Sequence, residues 1–433
     1  MKFGGSSVGS PERIREVARI IGSRLERKPI VVVSAVGGVT DMLISAAQKA
    51  ASEGKADTAE LRKKHEDIIT ELGLDRAIIS ELDSLDELLS GIAQLGELSP
   101  RIMDKVQSFG ERCSSKILAA CLEKQGIGSR AFDAYDAGMI TDDNFGNAEP
   151  LPEVFEKLGA LSESPVVPVV TGFIGKDREG RITTLGRGGS DYTAAIIGAA
   201  VDAEEIQIWT DVNGIMTADP KVVPEAKSIP RVTFDEASEL AYFGAKVLHP
   251  KTIRPAVRKG IPVRVLSTFE PEKKGTVISI ESEKDSNPLK AIASKKRITL
   301  INVVSTRMLL AHGFLARIFQ VFEEHHKPVD MVSTSEVSVS LTVDNDEHVD
   351  EIAEKLKHFA KVKVMREKAI ICAVGQGLSE AVGLCGRVFT AVGSEGVNVH
   401  MISLGASEIN LSFIVDDKDA DKAVKSLHKE LLE

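Results

Sequence analysis

The chain has 433 residues, of which 43% are hydrophobic, enough to bury a large core and to divide into two or three domains. Its 54 basic residues against 64 acidic ones leave a net charge of −10, which disfavours general affinity for nucleic acid or an anionic membrane and favours a small-molecule partner. No stretch approaches the roughly 20 apolar residues of a membrane span, the N-terminal residues show neither signal-peptide nor transit-peptide character, and four scattered cysteines without a CxxC pair argue against a zinc site or a disulfide framework, so reduced thiols in the cytoplasm are expected.

Lys2-Phe-Gly-Gly-Ser-Ser-Val-Gly9 precedes a segment in which Ile14, Val17, Ile21 and Leu25 recur at helical spacing, with Pro11 suited to the first turn. Its glycines and hydroxyls let backbone N–H groups approach an anion while Lys2 adds positive charge, although such a turn by itself is often a plain loop. Apolar β-branched runs at 29–34, 166–171, 206–210 and 262–266 read as strands, and with the helical spacing between them they predict an α/β domain with a buried, mainly parallel sheet. Residues 55–98 are helical and highly charged throughout, an insertion on the sheet that would suit a lid. Leu185-Gly-Arg-Gly-Gly-Ser-Asp191 follows a predicted hairpin and opens a helix over 192–201. Arg187 offers a planar fork for a carboxylate there, and Ser190 and Asp191 equally suit a helix N-cap. Thr210 and Asp211 end a strand, where ligands of open α/β sheets bind. Lys246 lies in a turn after a helix, where in isolation a solvated surface lysine is the more frequent case. Residues 269–288 mix charge, Pro, Gly, Ser and Asn around one short apolar run and read as a linker.

A duplicated pattern follows. Residues 297–366 predict strand, helix, two strands, helix and strand, and residues 367–433 repeat the order with Thr334-Ser-Glu-Val-Ser-Val-Ser340 echoed by Ala406-Ser-Glu-Ile-Asn-Leu-Ser412. Two ferredoxin-like βαββαβ units are expected. The second lacks its last strand, and 289–296 is the candidate to fill it, which would insert the first unit into the second.

Together the motifs carry more than each alone. KFGGSSVGS, Ser34-Ala-Val-Gly-Gly-Val-Thr-Asp-Met42, Phe109-Gly-Glu-Arg112, TLGRGGSD, WTDVNGI and GAKVLHP stand in the order and spacing of the aspartate kinases of the amino acid kinase family, and the tandem C-terminal units resemble their paired regulatory ACT modules. The resemblance covers essentially the whole chain. It implies an amino acid kinase-like sandwich over 1–268, a linker over 269–288, a first ACT unit over 297–366 and a second over 289–296 and 367–433. It also implies transfer of the γ-phosphoryl group of ATP, with Mg²⁺, to the side-chain carboxylate of L-aspartate, the entry to lysine, threonine and methionine biosynthesis.

The same resemblance assigns Lys2, Asp191 and Lys246 to catalysis. It places Lys2, Gly4, Gly5, Ser6, Thr210, Asp211, Lys221 and Lys246 around the nucleotide, and Thr40, Glu111, Phe173, Arg187 and Ser190 around aspartate, with Glu111 facing the α-ammonium and Arg187 a carboxylate. Ser6 stands where Thr is usual, Met216 where an adenine-side Tyr is frequent, and Lys221 where Arg is frequent. Met308, Phe314, Leu315, Asp330, Thr334, Ser335 and Glu336 match an effector pocket of the lysine-sensitive type, while Leu310 and Ala311 replace polar residues, so the expected effector is lysine or, as second choice, threonine. No protein-held metal site, no nucleic acid and no membrane are expected, and the ACT units are expected to join a homodimer. An acceptor other than aspartate, and an amino-acid sensor with an inactive kinase fold, remain the alternatives. The chain stops after the second ACT unit, which fits a monofunctional kinase.

Because an aspartate side chain has a pKa of roughly 4, the acceptor is already ionised at neutral pH and no general base is required. The barrier is repulsion between a carboxylate and a triphosphate, which cations in an organised site must cancel.

Overall fold

The computed structural model describes residues 1–74, 76–244, 250–281, 287–308, 312–405 and 407–433. The chain forms two compact units, one from residues 1–215, 230–234 and 247–282, the other from 216–229, 235–246 and 283–433.

The first unit is built on an eight-stranded sheet. Ser129–Phe132, Val167–Thr171, Val31–Val33, Lys2–Phe3, Ile206–Thr210 and Val263–Ser267 run parallel in that spatial order. Thr276–Ser279, inside the expected linker, adds antiparallel to the last of them, and Arg231–Thr233 closes the edge. Val31–Val33 and Val167–Thr171 are buried at every position, which is why the sequence shows unbroken apolar runs there instead of alternation. Strand order reverses beside Lys2–Phe3, with neighbours 31–33 on one side and 206–210 on the other, and such a switch point opens a crevice at the carboxyl ends of the strands.

Helix Pro11–Gly22 starts as its sequence predicts: the Ser10 side chain accepts the Arg13 N–H at 3.4 Å, and Ile14, Val17 and Ile21 are buried. Leu25 departs from that stripe, lying 41% exposed in a short 3₁₀ turn beyond the helix. Residues 55–98 form helices Ala59–Leu72 and Ile79–Leu95. Their apolar faces (Leu61, Ile68, Leu82, Leu85, Leu89) belong to the main hydrophobic core, so this insertion is a packed layer and the lid expectation is corrected.

The second unit carries one six-stranded antiparallel sheet, ordered Val332–Thr334, Ser338–Asp344, Ala291–Val304, Lys361–Val374, Asn410–Asp416, Met401–Leu404. Sequence reasoning treats 362–365 and 369–374 as separate strands, but they are one, as are the short run near 291 and the strand at 298–304. The two long strands pair along their full length, with Ala291 opposite Val374 and Val304 opposite Lys361, and with register shifts around Lys295, Ile298 and Leu300. Arg297 (φ 61°) and Glu367 (φ 53°) take left-handed conformations, consistent with the local kink that an irregular register introduces. Helices Phe314–Glu324 and Val349–Lys357 close one core with Ile301, Val303 and Leu341, and helices Leu384–Ser394 and Ala420–Leu431 close another with Ile371 and Phe413.

Two segments from inside the expected catalytic stretch pack here as well. Ala218 and Val223 join the second of these cores, the Ile292 N–H donates to the Thr217 carbonyl at 2.8 Å, and the Gln376 N–H donates to the buried Glu236 carboxylate at 2.8 Å. Among the described residues, no helix of either unit is long and apolar enough to cross a membrane.

Candidate functional site

The switch point is furnished by three glycine-bearing loops, all in the first unit. Gly4 donates its N–H to the Trp209 carbonyl at 3.1 Å, and the Gly37 N–H donates to the Gly5 carbonyl at 3.0 Å, so the loop after Lys2–Phe3 lies back to back with the loop after Val31–Val33. A Cβ at Gly5 would stand 2.8 Å from the Ala35 carbonyl oxygen, closer than the two loops can accept. Helix Pro100–Lys124 also approaches this pair through a glycine, since a Cβ on Gly110 would meet the Ala35 Cβ at 2.7 Å. The third loop, 185–191, turns through Gly186 (φ 73°) and Gly188 (φ 70°) into helix Gly189–Ala200.

These loops enclose a cavity of about 350 Å³ lined by Lys2, Gly5, residues 34–38, Thr40, Asp41, Glu111, Phe173, Gly186 and residues 188–191. Lys2 is only 8% exposed, and its Nζ stands 2.7 Å from Asp191 Oδ1. The N-cap of helix Gly189–Ala200 is Gly188, so Ser190 and Asp191 lie in its first turn and the capping alternative falls away. A carboxylate in that turn is favoured by the unpaired N–H groups of the helix start.

Opposite them Glu111 is buried. One of its oxygens accepts the Ala35 N–H at 3.0 Å, and Oε2 has no hydrogen-bond partner among the described residues. Burial pushes its carboxyl up to about 8, against the opposing pull of the Ala35 bond and the Lys2 charge. Phe173 sits at φ 67°, a strained conformation for a bulky side chain, with its N–H donating to Thr193 Oγ1 at 3.0 Å and its carbonyl accepting the Leu185 N–H at 2.8 Å. The surrounding bonds hold this conformation, and no sequence signal announces it.

The remaining expected residues lie outside this lining. Ser6 is exposed beside it, whereas Ser7 is buried with its hydroxyl 2.6 Å from Thr268 Oγ1. Arg187 is exposed on the loop whose glycines line the cavity. Thr210 and Asp211 follow the strand beside Lys2–Phe3, the Thr210 hydroxyl donating to Asp211 Oδ1 at 3.1 Å. Lys221 lies on the segment 216–229 that packs with the second unit, and Lys246 lies outside the described residues. Asp41 lines the cavity without having been singled out, since its place in the Val39–Glu53 helix gives no sequence sign of which way it faces.

In the second unit, Met308 and Phe314 are half-buried against the core closed by helices Phe314–Glu324 and Val349–Lys357, and Phe314 packs edge-on to Phe359 with ring centres 5.6 Å apart. Leu315 is exposed, and Thr334, Ser335 and Glu336 form an exposed hairpin turn in which Ser335 Oγ lies 2.7 Å from Ser338 Oγ. The Asp330 side chain is 2% exposed. It accepts the Tyr242 hydroxyl, faces Lys295 Nζ at 3.4 Å, and keeps one oxygen without a hydrogen-bond partner among the described residues. Burial raises its carboxyl above the ordinary range, and Lys295 also reaches Asp344 Oδ1 at 2.6 Å. Leu310 and Ala311 lie outside the described residues.

Residues 1–267 match the amino acid kinase family, and residues 301–351 and 371–431 match an ACT domain. The chain is 42% identical to chloroplastic aspartokinase 1 of Arabidopsis thaliana, an alignment spanning 100% of this chain and 80% of that protein. It resembles the crystal structure of E. coli aspartokinase III in complex with aspartate and ADP (R-state), with a TM-score of 0.82 and 36% identity over 100% of this chain and 99% of the other. The same enzyme in complex with lysine and aspartate (T-state) gives a TM-score of 0.79 at 36% identity, with the same coverage.

Proposed function

Because the chain belongs to the aspartokinases of the amino acid kinase family, we infer that it transfers the γ-phosphoryl group of ATP to the side-chain carboxylate of L-aspartate, giving ADP and 4-phospho-L-aspartate. The observation that carries the reading is the cavity at the strand switch point, which the Lys2–Asp191 pair and the buried Glu111 line together. The product opens the route to lysine, threonine and methionine.

We assign the walls as follows. Gly4, Gly5 and Ser6 line the loop beside the phosphates, and Lys2 lends its charge to the transferring group, with Lys246 as its expected partner. Thr210, Asp211 and Lys221 are assigned to the nucleotide. Glu111 receives the α-ammonium of aspartate, Thr40, Phe173 and Ser190 shape the space around it, and exposed Arg187 closes on a carboxylate with a two-point grip. Asp191 holds the Lys2 ammonium in place. Holding acceptor and donor in line is the greater part of the chemistry, since the nucleophile needs no deprotonation.

Among the described residues no three His, Cys, Asp or Glu side chains gather to hold a metal ion. Mg²⁺ commonly rides on nucleotide phosphates with one or two protein carboxylates, and Asp191, among the carboxylates lining the cavity, would be one of them. Bound with ATP, the ion supplies positive charge against the β- and γ-phosphates.

Purified enzyme incubated with ATP and Mg²⁺ should form an acyl phosphate on aspartate, trapped by hydroxylamine. It should form far less on glutamate, acetylglutamate or a nucleoside monophosphate. Equal turnover of another acceptor would replace aspartate in this reading, and absence of turnover with all of them would favour the sensor alternative.

We further propose that the kinase domain spans 1–268, the linker 269–288, the first ACT unit 297–366 and the second 289–296 with 367–433. The enzyme works in the cytoplasm as a homodimer joined through its ACT units. A small zwitterion binds the first ACT unit, lysine being the first choice and threonine the second, near Met308, Phe314, Leu315, Asp330 and the turn Thr334-Ser-Glu336. The complex of E. coli aspartokinase III with lysine supports that choice. Tenfold inhibition requires only about 1.4 kcal/mol of coupling between ligand and active state. Equilibrium dialysis at millimolar lysine and threonine should detect binding to the wild type and weaker binding to Asp330→Ala. No binding to the wild type ends the proposal, and unchanged binding to the variant moves the pocket elsewhere.

A further inference from the structure

The turn that carries Gly4, Gly5 and Ser6 is fastened at both ends to the strand beside it. At its start the Gly4 N–H donates to the Trp209 carbonyl at 3.1 Å, and the Ser7 N–H closes the turn on the Gly4 carbonyl at 2.9 Å. At its end Ser7, fully buried, sets its hydroxyl 2.6 Å from that of Thr268, which is 1% exposed. The Thr268 hydroxyl in turn donates to the Thr210 carbonyl at 2.8 Å, and the same carbonyl accepts the Thr268 N–H at 2.9 Å. Each hydroxyl has a single hydrogen to give. The bond to Thr210 is shorter than the 3.4 Å between Ser7 Oγ and the Trp209 carbonyl, so the hydrogens run from Ser7 to Thr268 to Thr210. Thr268 directly follows strand Val263–Ser267, and its hydroxyl thereby joins the carboxyl ends of that strand, of Ile206–Thr210 and of Lys2–Phe3. Neither Ser7 nor Thr268 lines the cavity.

We propose that Thr268, acting through Ser7, is a positioning residue for the nucleotide, holding the Gly4–Ser6 turn in place against Thr210 and Asp211. The proposal rests on the aspartokinase reading, which sets that turn beside the phosphates and Thr210 and Asp211 at the nucleotide. A nucleotide that touches both elements keeps both sets of contacts only while the elements keep their relative position. The bridge resists a shift, because a slip of the turn would leave a buried hydroxyl without its partner. Among the described residues neither hydroxyl bonds Thr40, Glu111, Phe173, Arg187 or Ser190, the side chains assigned to aspartate. Loosening the bridge therefore acts on nucleotide binding first.

The test compares wild type, Thr268→Val, Thr268→Ser and Ser7→Ala in full-length enzyme, reading the Kd for ADP with Mg²⁺ by calorimetry, the KM values for ATP and aspartate, and Tm. Valine has the shape of threonine without its hydroxyl. Thr268→Val should raise the ADP Kd and the ATP KM about tenfold, with the aspartate KM within about twofold, since a displacement of about 1 Å can cost 10²-fold. Ser7→Ala leaves the bond from Thr268 to Thr210 in place and should shift the same two quantities by about two- to fivefold, and it carries the test if Thr268→Val does not fold. Serine keeps the hydroxyl, so Thr268→Ser should stay within about twofold of wild type in both. A lower Tm with unchanged ADP Kd and ATP KM makes the bridge structural only and overturns the proposal, as does an equal rise in the aspartate KM. A wild type that neither binds ADP nor phosphorylates aspartate would instead overturn the reading beneath it.

Discussion

Replacing Lys2 with alanine is expected to lower kcat by about 10²–10³-fold at saturating ATP and aspartate, the loss that follows removal of one organised charge-stabilising donor. Lys2 is held for that task by its surroundings. Its strand pairs with Val31–Val33 on one side and Ile206–Thr210 on the other, its side chain is nearly buried, and its Nζ is 2.7 Å from Asp191. The variant should also melt at a lower temperature, because the Asp191 carboxylate is left in a mostly buried place without its partner. Adding Asp191→Asn to Lys2→Ala separates the two effects: stability should recover while turnover stays low. Steady-state rates and thermal melts on the three proteins decide it, and a Lys2→Ala enzyme that keeps more than half of the wild-type kcat makes Lys2 a strand-end lysine with no part in catalysis.

Replacing Glu111 with glutamine should raise the KM for aspartate about 10–100-fold with little change in that for ATP, as expected when a charged hydrogen bond to the substrate ammonium is lost. The pH dependence gives a second signature. With its carboxyl pushed up to about 8, Glu111 holds a proton in the free enzyme at neutral pH, whereas the aspartate ammonium prefers the ionised form. Aspartate binding should thus release a proton, and affinity should rise with pH up to about 8 and then level off.

For folding the sign is opposite to that of a salt-bridged acid. The native state binds a proton that the unfolded state has shed, so between the ordinary 4.5 and about 8 stability falls as pH rises. The slope reaches about 1.4 kcal/mol per pH unit. Glu111→Gln should flatten both profiles. A variant whose aspartate affinity still climbs with pH as in the wild type would assign the titration to another group.

The sequence by itself determined the chemistry available and the kind of element that carries it. Unbroken Val and Ile runs mark strands covered on both faces, and helical spacing marks the layers between them, because burial writes its period directly into the chain. The glycines at 4, 5, 37, 186 and 188 mark loops of close approach, and Lys2, Glu111, Arg187 and Asp191 were legible as cations and acids in those motifs. The doubling of the ACT pattern was equally legible.

What only the tertiary structure decided depends on contacts between residues far apart in the chain. Whether Asp191 caps a helix or pairs with Lys2 cannot be read locally, since a short acid near a helix start suits both, and strand order settles it by setting the first strand beside helix Gly189–Ala200. The strained backbone of Phe173 is imposed by the Thr193 hydroxyl and the Leu185 amide, with nothing in its own side chain to predict it. The two ACT sheets merge because strands 291–304 and 361–374 run on through irregular turns at Arg297 and Glu367, charged positions that break the apolar pattern and read as strand ends. Asp104, 80 residues from its partner Thr184, shows the same limit: a lone acid on a helix ties two distant segments together only when the fold brings its donors to it.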